Sequence, residues 1–336
     1  MQRLVRACVI GAALFALPAA DPGTPAGATE PYAVVDALFL QRDNDSTPAA
    51  LVVNSDSGQP VIDAAGPRFP VAGGVRAFVG RHGGGERGWE LGYLGIYGMS
   101  ATTQVSGPGN LDVAPVLSTL VPSLSGASLA QVSYSSAING AEANLLATGE
   151  RFHRPRATGY AADAVPYAAT VDWLTGFRWA GLEEQAAITL ATPGQAASRY
   201  GVRTSSNLFG GQLGVRGRID WECWGLEGCG KAALAGVQLS QSQAPIVDAV
   251  TGQQYRPALG SRGSDVGSIL EWNATIVRHL GDTWSIRAGY TMLWLTGVAL
   301  APDQFDFTTT TTAGTGLVGE KMVWLQGATL GLEGRW

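Results

Sequence analysis

In many apolar stretches of this 336-residue chain, the charged side chains all fall on one of the two alternating sets of positions. A β-strand places alternate side chains on opposite faces, so each such stretch predicts one charged face and one apolar face. Charges that leave water need partners, so we expect the charged faces to meet and pair inside the fold. The seven acids and seven bases on those faces are Asp36, Arg76, Glu90, Glu142, Asp172, Arg178, Arg216, Arg218, Asp220, Lys231, Glu271, Arg287, Glu333 and Arg335.

Three histidines, His82, His153 and His279, are the other side chains with catalytic potential. A hydrolase needs a histidine beside a serine or an acid, and a metal site needs several ligands at fixed spacing. No histidine has such a partner at a suitable distance along the chain. We therefore predict no catalytic residue, no metal site and no bound cofactor.

One glycine-rich segment, 314–319, matches the letters of the GxGxxG dinucleotide motif. That motif binds a dinucleotide only when a strand precedes it and a helix follows it. Here a run of threonines precedes the segment and the last predicted strand follows it. We interpret the segment as a loop.

The elements that must position the charged residues are β-strands, and the final strand ends at Trp336. Its outward face holds Leu330, Leu332 and Trp336, whereas Glu333 and Arg335 occupy the other face. The same alternation with a period of two predicts ten strands in all. They are centred at about 32–42, 75–79, 89–97, 130–147, 171–179, 212–221, 230–241, 267–279, 283–298 and 321–336.

The predicted connections alternate in length along the chain. Short links fall at 83–87, 223–229 and 280–282, and long ones at 43–72, 100–129, 242–266 and 299–321. Short turns on one rim and long loops on the other are typical of an outer-membrane barrel. Two joints fit less well, because 149–168 is long for a turn and 180–206 has room for another strand pair. We predict an all-β, antiparallel, up-and-down transmembrane β-barrel of ten strands, with twelve as the alternative.

The amino terminus predicts export. Residues 1–28 contain two arginines, the uninterrupted apolar run 7–17, Pro18 and then small residues, which is the pattern of a cleaved secretory signal peptide. The apolar run is too short for a transmembrane helix, which needs about 20 residues. The barrel domain is then 29–336. Charged residues make up only 15% of the chain and the net charge is −5, so no basic surface is expected to bind nucleic acid.

Cys223 and Cys229 are the cysteines that remain after removal of the signal peptide, because Cys8 lies within it. They flank a predicted tight turn, and thiols of exported proteins usually oxidise. We predict a disulfide between them. The alternative is a pair of reduced thiols whose Cα atoms lie too far apart to be bridged.

Several segments resemble the seventh putative beta-barrel porin family, a group of outer-membrane barrels typical of planctomycetes. The resemblance implies an outer-membrane barrel with transport as its expected role, and it brings no site residues with it. The matching segments run in order along nearly the whole exported chain. They are DALFLQRDN (36–44), WELGYLG (89–95), AEANLL (141–146), WLTGFR (173–178), NLFGGQLG (207–214), RAGYTMLWLTGVALAPDQ (287–304) and GATLGLE (327–333).

The expected function follows from the barrel and its charged interior. We predict a porin for passive passage of small solutes or ions, with a non-conducting structural or adhesion barrel as the alternative. Free passage usually needs about 16 strands, so in ten strands the paired charges could form a plug. The expected partners are the outer-membrane lipid bilayer, small solutes or ions, and the barrel assembly machinery, which would recognise the strand ending at Trp336.

The apolar run 111–121 falls in a predicted long loop. It could fold inward as a constriction or cover the mouth of the barrel. We favour packing within the loop itself or contact with the membrane surface.

Overall fold

A computed structural model describes residues 30–44, 46–82, 87–114, 116–154 and 167–336. The predicted signal peptide, 1–28, lies outside the described residues, as do the connecting segments 83–86 and 155–166. Fourteen strands, β1 to β14, account for most of the described chain. In order they are Glu30–Asn44, Ala50–Asn54, Pro60–Asp63, Ala72–His82, Arg87–Val113, Ala127–Arg154, Tyr167–Ala191, Ser198–Trp221, Trp224–Gln243, Ile246–Val247, Gln254–Arg256, Leu259–His279, Trp284–Val298 and Lys321–Arg335.

Ten of these strands form a closed antiparallel barrel. The order around it is β1-β4-β5-β6-β7-β8-β9-β12-β13-β14, and β14 returns to β1. Tyr32 on β1 pairs with Arg335 on β14, and the N–H of Trp336 donates to the Pro31 carbonyl oxygen at 3.2 Å. Closure satisfies the backbone groups that an open edge would leave unpaired in lipid. The predicted ten-strand barrel is confirmed.

The twelve-strand alternative is wrong, because 180–206 forms no extra strand pair. Strands β7 and β8 run uninterrupted through this region and are joined by a short loop at 192–197. Buried and more exposed residues alternate along most of β8, as expected for one long strand in the barrel wall.

Strand length divides the barrel wall into two parts. Strands β5 to β9 and β12 contain 20 to 28 residues, whereas β1, β4, β13 and β14 contain 11 to 15. The six long strands therefore extend beyond the other four on the side of the long loops. On that side the short strands β2 and β3 continue the sheet from β5, and β10 pairs with β11.

The outer face of the barrel is an apolar band with aromatic residues near its two limits. Phe177, Tyr290 and Leu332 are exposed on this face, as the alternation predicts. Trp284 lies near the turn side, and Trp294 stacks on Trp324 nearer the loops, with ring centroids 5.9 Å apart. An apolar band between aromatic girdles is the surface that an outer-membrane barrel presents to lipid. Among the helices of the described chain, none is long and apolar enough to cross a membrane.

The predicted disulfide is wrong, because both cysteines are free thiols. The connection predicted at 223–229 is only the turn at Glu222 and Cys223, and β9 already begins at Trp224. Cys229 therefore lies well inside β9, with a buried side chain, while Cys223 is exposed in the turn. Six residues of extended strand separate their Cα atoms by about 20 Å, far beyond disulfide reach.

The apolar run 111–121 covers the loop end of the barrel. Leu111, Val113, Leu117 and Val121 are buried in a second apolar cluster, separate from that of the barrel interior, which we call the upper core. It also contains β2 residues, the inner faces of the long strands and Ile246 before the β10–β11 turn. Residues of this run therefore pack both on other loop residues, as predicted, and on the inner face of the barrel wall. The run does not form the constriction that was the alternative prediction.

Candidate functional site

The candidate site is the barrel interior, where the structure places the fourteen predicted charged residues on inward positions or at the turn-side rim. Twelve have side chains that are buried or nearly so, and Asp220 and Arg335 are about a third exposed at the rim. Thirteen of the fourteen form ion pairs. Asp172 is buried without an ion pair to any described residue. We call this part of the interior the ionic layer.

Glu271 joins opposite walls of the ionic layer. Its Oε1 atom accepts from Arg76 on β4 at 3.1 Å, and its Oε2 atom accepts from Arg178 on β7 at 2.5 Å. Arg76 also donates to Asp36 at 2.7 Å. One carboxylate on β12 thus reaches two strands that are far from it around the barrel, which shows how narrow the interior is.

A second group of pairs is centred on Glu90 and Glu142. Arg216 donates to Glu90 at 2.6 Å, and the Tyr32 hydroxyl donates to the same carboxylate at 2.7 Å. Lys231 donates to Glu142 at 2.5 Å. Side-chain amides supply further hydrogen bonds, because the Gln212 amide donates to both Glu142 and Asn144. Charge-assisted hydrogen bonds of this kind are the strong ones in a protein interior.

A third group lies nearest the turn-side rim. Glu333 accepts from Arg218 at 3.0 Å, from Arg335 at 2.5 Å and from Arg287. Arg287 also donates to Glu227 at 2.8 Å. The Glu227 carboxylate was not predicted, because the sequence suggested that its segment was a turn.

An apolar layer fills the interior above the ionic layer. Residues from all ten barrel strands contribute to it, and most are less than 5% exposed. Leu38, Ile138, Leu208 and Leu295 are representative members. The void between the two layers has a volume of about 10 Å³, roughly the room of one water molecule. This layer was not predicted from the sequence, because the inner face was expected to be polar throughout.

A plug segment closes the barrel above the apolar layer. After β13 the chain turns inward, so that residues 298–301 are fully buried, and a 3₁₀ turn follows at Ala301–Gln304. The N–H of Ala299 donates to the Ser206 hydroxyl at 3.0 Å, and that of Ala301 donates to Glu184 at 2.9 Å. These contacts tie the plug segment, 298–305, to β7 and β8 on the far wall.

Arg42 and Glu184 form the ion pair beneath the plug segment. Both side chains are completely buried, and Arg42 also donates to the Tyr134 hydroxyl at 3.0 Å. The Arg42 guanidinium lies 4.9 Å from the centre of the Phe69 ring. With Glu184, Glu227 and Arg42 included, the interior set grows from seven acids and seven bases to nine acids and eight bases. The alternating pattern of β1 placed Arg42 on the inner face and could have identified it. Glu184 could not be assigned to a face, because the number of strands in 180–206 was left open.

The histidine prediction needs a correction, because His279 does have an acid and a serine beside it. One ring nitrogen lies 2.9 Å from the Ser285 hydroxyl, and the other lies 3.1 Å from Asp220. Strands β8, β12 and β13 bring these three residues together at the turn-side rim, which sequence spacing did not reveal. Ser285 is only 5% exposed and Arg218 binds the same Asp220 carboxylate, so the group belongs to the ionic layer. The side chains of His82 and His153 lie outside the described residues.

The GxGxxG segment, 314–319, lies in the loop between the plug segment and β14. A turn precedes it and a strand follows it. The arrangement required for dinucleotide binding is therefore missing from this part of the described chain, and the loop interpretation holds.

Comparison with known families agrees with this architecture. The model of the putative beta barrel porin-7 family matches residues 32–336. The chain belongs to this family. The match covers all ten barrel strands, the plug segment and the paired interior charges. It therefore identifies an outer-membrane β-barrel of a porin-like family, which confirms the predicted resemblance.

Among solved structures, the chain is similar to the outer membrane protease OmpT from Escherichia coli. The two share 10% identity with a TM-score of 0.54, over 91% of this chain and 97% of that one. Such a likeness shows a common barrel fold alone. An anion-selective porin from Comamonas acidovorans matches at 12% identity and a TM-score of 0.16, over 92% of this chain and 100% of that one, which is too low to support an argument. No curated protein matches the chain.

Proposed function

We propose that this barrel passes small ions in brief openings and excludes sugars. The observation that carries the proposal is the succession of an ionic layer, an apolar constriction and a plug segment along one interior. Charged side chains attract and exchange ions, and apolar constrictions gate by excluding water. Passage then requires the plug segment to withdraw and the charged pairs of the ionic layer to exchange partners.

A second function, a non-conducting barrel that displays surface loops, is favoured by a different observation. Most residues of the apolar layer belong to the barrel strands, so withdrawal of the plug segment, which contributes residues 298–301, leaves the rest of the layer in place. The upper core also gives the loop end a packed structure of its own. Such a barrel would present the loops between the long strands to partners outside the cell.

A tethered plug distinguishes the two functions. Ala299 and Ser206 are in hydrogen-bond contact, so A299C with S206C should form a disulfide between plug and wall. The substitutions C223S and C229S remove the native thiols from both the tethered protein and its control. In planar bilayers, the reduced tethered protein should show brief openings to small ions, and oxidation should abolish them. The matched control, which carries only C223S and C229S, should be insensitive to oxidation.

Three outcomes separate the proposals. Brief openings that disappear on oxidation support the gated passage. A steady pore that admits oligosaccharides in a liposome-swelling assay contradicts it. Electrical silence of reduced and oxidised protein alike contradicts it as well and favours the display barrel.

We also propose that the chain is exported with residues 1–28 removed and that the assembly machinery recognises the strand ending at Trp336. The basic and apolar pattern of 1–28 supports the first step, and the pairing of β14 with β1 at the closing seam supports the second. Amino-terminal sequencing of protein from outer membranes tests the cleavage. Deletion of Trp336 should reduce the folded barrel in the membrane, and unchanged assembly would contradict the second step.

We propose further that the barrel has no enzymatic activity. The Ser285 hydroxyl is buried and lies in hydrogen-bond contact with His279. A fluorophosphonate probe, which labels activated serines, should therefore leave the folded protein unmodified. Labelling that disappears in S285A would contradict this proposal.

A further inference from the structure

The outer surface of the barrel carries a groove of about 1020 Å³. It crosses the six long strands, β5 to β9 and β12, on the side of the long loops. Ser136, Glu184 and Thr204 also line the groove, but these residues are buried and alternate with more exposed groove residues, so their side chains point inward. The groove therefore opens to the exterior, and the barrel wall separates it from the interior, where the buried Glu184 carboxylate binds the plug segment.

The groove is lined mostly by small side chains, and two arginines, Arg203 and Arg262, also line it. Ser242 on β9 pairs with Arg203 on β8, while Ser240 pairs with Arg262 on β12. Arg203 and Arg262 thus lie on either side of β9, with Cα atoms about 12 Å apart by strand geometry. Both side chains are exposed, and neither forms an ion pair with any described residue. Two long side chains at this spacing can converge above the two serines.

One acid, Glu183, also lines the groove. It pairs with Ser205, which in turn pairs with Ser240, so three strand spacings, or about 14 Å, separate it from Arg262. It forms no salt bridge with Arg203. The part of the groove that carries both arginines, from β8 across β9 to β12, is therefore the basic end.

The groove lies at the outer limit of the apolar band. The indole N–H of Trp179 donates to Asn207 at 3.2 Å, one row below the groove, as expected for a tryptophan at a membrane interface. Phe209 and Val266 face outward in the next row, and Leu234, which is 74% exposed, faces outward in the row after that. A polar, basic groove thus lies directly above a surface that contacts acyl chains.

We propose that the groove binds a phosphate-bearing lipid of the outer leaflet. Arg203 and Arg262 bind the phosphate group, because guanidinium groups match phosphate geometry with paired hydrogen bonds. Serine hydroxyls and Glu183 contact head-group hydroxyls, and the acyl chains lie on Phe209, Leu234 and Val266. The short turns face the periplasm in barrels of this kind, which places the groove in the outer leaflet. The site is independent of whether the interior conducts.

Lipid titration of the full-length folded protein tests the site. Purified barrel in non-ionic detergent is titrated with bis-phosphorylated lipid A, the same lipid without its phosphates, or inorganic phosphate, and binding is read by native mass spectrometry. The double variant R203Q/R262Q should bind bis-phosphorylated lipid A about tenfold more weakly or worse. The matched variant R87Q/R151Q removes two exposed arginines at the turn side and should bind like the wild type.

Three results of the lipid titration would overturn the proposal. Equal binding by R203Q/R262Q and wild type would overturn the proposal, as would equal binding of the dephosphorylated lipid. Inorganic phosphate that displaces the lipid at similar concentration would also overturn it, because the groove would then be a free-anion site. Heat-dependent gel mobility of each variant verifies that the barrel is folded, so that weaker binding reflects the groove itself.

Discussion

The backbone N–H of Ala301 donates to the Glu184 carboxylate at 2.9 Å, and this contact fastens the plug segment to the opposite wall of the barrel. The same carboxylate binds Arg42, and both side chains are completely buried. One acid on β7 therefore binds both a cation on β1 and the plug segment. Glu184 therefore contributes both to the position of the plug segment, which closes the interior, and to the stability of the barrel.

Glu184→Ala should destabilise the barrel by about 3–5 kcal/mol, because it leaves the buried Arg42 without its carboxylate. It should also lengthen any openings, since the plug segment loses one of its hydrogen bonds to the wall. Denaturant unfolding in detergent and single-channel recording measure the two effects. Glu183→Gln, one residue away on the outer face, is the control and should change neither. An unaltered unfolding midpoint for Glu184→Ala would contradict the role of this pair.

Glu271→Ala should leave both Arg76 and Arg178 short of an acceptor in the ionic layer. The excess positive charge should raise conductance and shift ion preference toward anions, because the field of the interior becomes positive. Reversal potentials under a salt gradient measure the preference. Asp282→Asn, at the turn between β12 and β13, is a control that removes an acid outside the network. A shift toward cations would contradict the pairing assigned to Glu271.

Leu330→Arg should cost about 2–4 kcal/mol of unfolding free energy, whereas Leu332→Arg should cost about 0–1 kcal/mol. Both side chains are about half exposed on the lipid-facing side. Leu330 lies two residues deeper in the apolar band, while Leu332 lies close to the rim at Trp284 and Trp336. Unfolding in lipid vesicles measures the difference. Equal costs would contradict the depth assigned to the band.

Protonation of Asp248 should loosen the β10–β11 turn at low pH. Backbone N–H groups of Thr251, Val250 and Ser123 donate to this carboxylate and lower its pKa to about 2. Because the unfolded pKa is about 3.9, the stabilisation is complete above about pH 4 and is lost as the pH falls toward 2. Thermal unfolding of wild type and Asp248→Asn between pH 6 and 2 measures it. The difference between the two proteins should vanish near pH 2, and a constant difference would contradict the assignment.

The thiols should differ in reactivity. Cys223 is exposed in the turn between β8 and β9, whereas Cys229 is buried among interior charges. In protein without residues 1–28, and hence without Cys8, a maleimide reagent should therefore modify the folded barrel once, at Cys223, and twice after denaturation. Mass spectrometry counts the additions, and Cys223→Ser should eliminate the first. No modification of folded protein, with a mass lower by two hydrogens, would indicate the disulfide that the structure lacks.

The fold class and the facing of side chains follow from the sequence, because both depend on a period of two residues. Arg178, Glu271, Arg287 and Glu333 face inward and Phe177, Tyr290 and Leu332 face outward, as alternation alone predicts. Alternation requires no knowledge of which strands are neighbours. The pattern of short and long connections likewise placed both rims of the barrel.

Only the tertiary structure determined which charged residues form ion pairs with each other and how the barrel interior is filled. Glu271 meets Arg76 and Arg178 only because the closed barrel brings distant strands within a side chain's length of one another. Residues 38–40 and 293–295 are apolar on both faces, so the sequence did not distinguish the apolar layer from the lipid-facing band. His279 contacts Asp220 and Ser285, which lie on other strands. Cys229 cannot pair with Cys223 as predicted, because β9 begins earlier than the turn pattern suggested. Each of these depends on register and on curvature, which arise only when all ten strands pair.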